Sequence, residues 1–116
     1  QIIDDILDFT GNQATIGKPI GSDLRQGLVT LPALIYIEEH PEDPGSQRLL
    51  QGECLTDETQ LKRFIDAIRS SGAIQTAHSE ARVFVERGLS NLRTLPACPE
   101  RHFLEELGAY IVERNF

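Results

Sequence analysis

The chain has 116 residues, enough for one domain or a piece of one, and a hydrophobic share of 40% is enough to bury a core. Eighteen acids against eleven bases leave a formal net charge of −7, which argues against nucleic acid as a partner, because backbone binding needs a basic footprint. No apolar run reaches the length of a membrane span, no signal-peptide pattern opens the chain, and Cys54 and Cys98 lack metal spacing and a disulfide-rich context, so both read as free thiols of a cytoplasmic protein.

The first element is QIIDDILDF. At about 100° per residue, Asp4, Asp8, Gln1 and Asp5 share an arc of about 100°, while Ile2, Ile3, Ile6, Leu7 and Phe9 fill the rest. A solvated surface helix would carry a wider polar face and compensating lysines. This pattern predicts a buried helix with one strip of carboxylate facing a cavity. Asp is a poor helix former, and Asp4 and Asp8 repel one turn apart. Acids near a helix N-terminus are favoured by its dipole, which is the structural account of the cluster. The functional account supplies a countercharge from outside as a divalent metal. Magnesium takes one or two carboxylates, several waters and substrate phosphate oxygens, and a pair one turn apart suits that partial shell. A calcium EF-hand loop is excluded, since its ligand order and closing Glu are missing. The sequence has no methionine, and the periodic pattern starts at Gln1 without a lead-in; the expectation is that an N-terminal portion of the same domain precedes it.

Residues 10–27 read TGNQATIGKPIGSDLRQG, where repeated glycines and Pro19 break any helix period and predict a long functional loop. Thr30 is placed as the N-cap of a helix through LPALIYIEEH, with Pro32 in its first turn. A short helix is expected over residues 46–51. Thr56 or Asp57 caps the next, with Leu61, Phe64, Ile65 and Ile68 on one face and Gly72 at its stop. A helix over residues 73–95 has Ala77, Ala81, Phe84, Val85 and Leu92 as candidate core. The last, over residues 100–114, has Phe103, Leu104, Leu107, Ile111 and Val112. Strand alternation is nowhere convincing, so the expected class is all-α, a helical bundle with short connections. His40, His78 and His102 are scattered and read as ordinary surface or core histidines.

QIIDDILDFTG followed by GKPIGSDLRQGLVTLPAL resembles the trans-isoprenyl diphosphate synthases, the polyprenyl synthetase family, in their C-terminal part. The first segment is similar to that family's second aspartate-rich motif and the second to its lysine loop; the continuous match covers about the first third of the chain. The resemblance implies that residues 1–116 are the C-terminal portion of a single helical domain of the isoprenoid synthase fold. It implies condensation of isopentenyl diphosphate with an allylic diphosphate, assisted by Mg2+. By the same resemblance Asp4 is the direct magnesium ligand, Asp5 and Asp8 hold metal-bound waters, Lys18 contacts the diphosphate, Asp23 orients the loop or a metal-bound water, and Gln1 lies near the isopentenyl side. A homodimer is the implied assembly. Leu28 stands where some short-chain members carry a further lysine, which favours a longer-chain synthase. The alternative from another class is a non-catalytic helical subunit or regulatory module of a heteromeric prenyl synthase. A non-catalytic relative is expected to have lost motif acids, and all three are kept. The 116 residues alone are expected to be inactive, with half of the metal cage, and sticky, because the apolar arc of the first helix would face helices outside the chain.

Overall fold

The computed structural model describes residues 1–11, 17 and 19–113. Among these, seven helices and no strand are found: α1 (Ile2–Thr10), α2 (Ser22–Arg25), α3 (Leu31–Glu39), α4 (Pro44–Leu50), α5 (Glu58–Ser70), α6 (Ala73–Leu92) and α7 (Pro99–Glu113). The all-α expectation holds.

Helix α1 ends where the Gly11 N–H returns to the Leu7 carbonyl at 2.8 Å. Its apolar arc is used inside this chain, which corrects the expectation that it faces helices elsewhere. Ile3, Ile6 and Leu7 pack with Ala77 and Ala81 of α6, while Phe9 enters a second cluster with Leu24, Ala33, Tyr36, Phe64 and Ile68. The physical reason is a large-to-small pairing. Alanines every fourth residue give α6 a weak apolar signal in sequence, but their small side chains let α1 approach closely enough to cover its isoleucines.

Helix α3 starts at Thr30 with Pro32 in its first turn and buries Pro32, Ala33, Tyr36 and Ile37; Thr30 makes no side-chain capping bond. Asp43 caps α4 by accepting from the Gly45 N–H at 2.8 Å, and its other oxygen accepts from the Tyr36 hydroxyl at 2.7 Å. Helix α4 therefore begins two residues before the expected position, because Pro44 is suited to the first helical place. A Cβ on Gly45 would collide with the Phe64 ring, so α4 and α5 meet at that glycine. Asp57, rather than Thr56, caps α5 through the N–H groups of Thr59 and Gln60 at 2.8 and 3.4 Å. Leu61, Phe64, Ile65 and Ile68 are all buried, as the period required.

The C-terminal hairpin departs from the expected core. On α6, Ala77 and Ala81 are buried but Phe84 is 58% exposed, with Val85 and Leu92 half-buried. On α7, Val112 is buried whereas Phe103, Leu104, Leu107 and Ile111 are exposed, Phe103 by 63%. The main neighbour of α7 is α6. A helix packed mainly on one other can bury only a narrow stripe, and here that stripe is Arg101, Glu105, Gly108 and Val112. A Cβ on Gly108 would sit 3.4 Å from Val85 Cγ1, which marks the closest approach of the two helices. The broader apolar face of α7 points away from α6, a surface of the kind that favours self-association.

No helix of the described residues is long and apolar enough to cross a membrane. Both cysteines are free and exposed.

Candidate functional site

The acidic strip of α1 is graded in depth: Asp4 is exposed, Asp5 half-buried, and Asp8 only 2% exposed. At its open end Gln1 Nε2 donates to Asp5 Oδ1 at 3.2 Å. At its buried end residues 20–25 lie against it and form the single turn α2. The Gly21 N–H donates to the Asp8 carbonyl at 2.9 Å, and the Asp23 N–H donates to Asp8 Oδ2 at 3.2 Å. Gly21 has φ of 76°, where side chains are rarely tolerated, and a Cβ there would also run into Ile65 of α5. Leu24 plugs the turn into the core at 3% exposure.

Gln1, Asp5, Asp8 and Asp23 are thus gathered by α1 and α2, with Asp4 on the solvent side of the same strip. The Asp5 carboxyl is held above its ordinary value of 3.8, chiefly by burial and next by the negative charge of Asp23; the Gln1 hydrogen bond pulls the other way. A hard cation beside Asp5 would relieve that cost of ionising it. Among the described residues no three His, Cys, Asp or Glu side chains converge to hold an ion by themselves. Lys18 lies outside the described residues. The apolar arc of α1 is committed to the core and does not line the site.

Sequence reasoning missed two features here. One is α2, four residues between glycines, too short for any periodic window. The other is the ion pair between Arg25 of α2 and Glu58 of α5, residues 33 apart that carry no shared motif. The histidines are structural: His40 stacks on Tyr36 with ring centroids 4.5 Å apart, His78 Nε2 lies 3.0 Å from the Val112 carbonyl, and His102 pairs with Glu106 on α7.

The geometry can be set beside known proteins. The model of the polyprenyl synthetase family matches residues 1–68, which include the whole acidic strip and α2. The chain belongs to the polyprenyl synthetase family. Component 2 of heptaprenyl diphosphate synthase from Bacillus subtilis (strain 168) is 38% identical over 116 residues, 100% of this chain and 32% of that protein. The crystal structure of heptaprenyl diphosphate synthase from Staphylococcus aureus superposes with a TM-score of 0.90 at 31% identity, covering 100% of this chain and 36% of that one. A polyprenyl synthase from Caulobacter crescentus CB15, crystallised with calcium and isoprenyl diphosphate, superposes with a TM-score of 0.81, also at 31% identity and with the same shares. The helical architecture of these family members extends over every helix described above. The chain spans about a third of the length of the curated relative and of the two solved chains.

Proposed function

We propose that this chain is the C-terminal part of a trans-prenyltransferase that condenses isopentenyl diphosphate with an allylic diphosphate. The observation that carries the reading is the acidic strip of α1 held against the Asp23 turn, with the Lys18 loop between them in sequence. In this reaction the allylic carbon–oxygen bond breaks and its electron pair leaves with the diphosphate. The isopentenyl double bond then attacks the allylic cation, and a proton is lost from the new chain. Asp4, the exposed acid, would hold a divalent cation, Mg2+ in this reading. Asp5 and Asp8 would accept hydrogen bonds from water bound to that cation. When bound, the ion supplies electrostatic stabilisation of the charge that develops on the departing diphosphate. Lys18 binds the same diphosphate, Asp23 orients the loop, and Gln1 lies toward the isopentenyl side. The ligands named for the Caulobacter protein, calcium and an isoprenyl diphosphate, support an acid-bound cation beside a diphosphate here.

The word "component" in the name of the Bacillus relative favours a two-part assembly as an alternative to a homodimer. A purely non-catalytic subunit is the weaker reading, since Asp4, Asp5 and Asp8 are all present. The exposed free thiols fit a cytoplasmic setting.

The test is Asp4→Ala in the full-length enzyme. Turnover at saturating substrates should fall by about 100-fold or more, the scale seen when one preorganised stabilising group is removed. The fold should persist, because Asp4 is exposed and its loss relieves repulsion with Asp8. Near-normal turnover at saturating magnesium would overturn the assignment. Lys18→Ala should chiefly raise KM for the allylic diphosphate; an unchanged KM would remove Lys18 from the site. The 116 residues alone should form no product from both substrates with magnesium.

A further inference from the structure

The turn α2 cannot hold its own shape, since a single helical turn fixes several residues in return for very few hydrogen bonds. Yet it carries Asp23 and follows Lys18 closely in sequence. Its position is set from three sides. Asp8 of α1 accepts from both the Gly21 and Asp23 N–H groups. Below, Leu24 is buried and Gly21 rests directly on Ile65 of α5. On the outer side, Arg25 Nη1 donates to both carboxylate oxygens of Glu58, at 2.5 and 2.6 Å.

The third contact differs from the others. The Arg25 and Glu58 side chains are 33% and 70% exposed, and an ion pair this exposed adds little to the stability of a whole domain. Glu58 does not need Arg25 for its own sake, because a carboxylate in the first turn of α5 is already favoured by the helix dipole. What the pair does is local. It draws the C-terminal end of α2 onto the first turn of α5, while Ile65, two turns further along α5, supports the other end at Gly21. The turn is therefore held at both ends by one rigid helix, and its middle presents Asp23 to the acidic face of α1.

We propose that Arg25 and Glu58 are positioning residues, a clamp that fixes the Asp23 turn against the acidic strip. This rests on the prenyltransferase reading of that strip; neither residue is assigned a contact with substrate. The test uses the full-length enzyme with Arg25→Glu, Glu58→Arg, and both together. Each single variant should lower kcat about fivefold, which converts to about 1 kcal/mol. Hydrogen exchange at the Gly21 and Asp23 amides should quicken by a similar factor, while the melting temperature stays close to that of the parent. The exchanged pair should restore both kcat and amide protection. An arginine opposes the dipole in the first turn of α5, so restoration is measured against Glu58→Arg. Unchanged exchange in the single variants, or no recovery in the exchanged pair, overturns the clamp. Faster exchange with unchanged kcat overturns its catalytic part. Asp4→Ala in the same assay separates the two ideas. Lost turnover in Asp4→Ala with unchanged exchange in the single variants removes the clamp alone. Normal turnover in Asp4→Ala removes the reading of the site, and the exchange data still decide whether the clamp exists.

Discussion

Helix α5 carries four large apolar side chains and helix α7 six, and the two regions use them in opposite ways. In α5, Leu61, Phe64, Ile65 and Ile68 are all buried, and the helix packs on α1, α3, α4 and α6. In α7, Phe103, Leu104, Leu107, Tyr110 and Ile111 stay exposed, and only Val112 is buried. The difference lies in the number of neighbours. Helix α5 is wrapped by several elements, whereas α7 leans mainly on α6 through a stripe that includes an Arg101–Glu105 pair and Gly108. An apolar face is a property of one segment; its burial is a property of what stands opposite.

The sharpest way to break this contrast is to remove one phenylalanine from each region. Phe64 of α5 is 3% exposed, so Phe64→Ala should cost the chain about 3–5 kcal/mol in urea unfolding. Phe103→Ala should change stability by no more than about 0.5 kcal/mol in the same 116-residue chain. Equal losses would show that α7 is packed as tightly as α5.

A smaller effect probes the polar seam of the packed region. The Tyr36 hydroxyl donates to Asp43, and burial together with that bond and the Asp43 charge pushes the Tyr36 pKa up to about 12 from 10. The fold thus favours the protonated phenol. This contribution is complete below pH 10 and is lost as pH rises through about 12. Tyr36→Phe should cost about 1–2 kcal/mol at pH 8. The gap between parent and variant should narrow between pH 10 and 12, and a gap independent of pH would exclude the hydrogen bond as its source.

The smallest effect lies at the site. The fold raises the Asp5 pKa, so its protonated form is favoured. That contribution is complete below 3.8 and lost as pH climbs through the raised value, leaving ionised Asp5 a mild burden at neutral pH. Asp5→Asn should therefore stabilise the metal-free protein slightly at pH 7, with the gain shrinking as pH falls toward 3.8. A loss of stability at pH 7 would mean that the acidic strip is already neutralised within the protein.

The period of α5 was legible because four large residues recur at helical spacing and nothing competes with them. The acidic strip of α1 was legible for the same reason, whereas most of residues 12–18 in the loop expected after it lie outside the described residues. Partners were not. The arc from Ile2 to Phe9 announced burial but not its location, since Ala77 and Ala81 do not look like a strong apolar surface in sequence. Phe84 and Phe103 lie at helical spacing too, and nothing in their own helices reveals that the opposite position is empty among the described residues. The docking of α2 depends on a glycine conformation at Gly21 and on Arg25 meeting a distant glutamate. Neither leaves a local pattern.

The buried alanines of α6 have a mechanical consequence. Ala73, Ala77 and Ala81 recur every fourth residue, and Ala77 and Ala81 form the floor on which α1 lies. Their size works as a shim beneath the acidic helix. A thicker residue at Ala77 would lift α1 as a rigid rod and carry Asp4, Asp5 and Asp8 with it, without altering any acid. The height at which this protein presents its carboxylates is thus set from behind, by side chains that the solvent never meets.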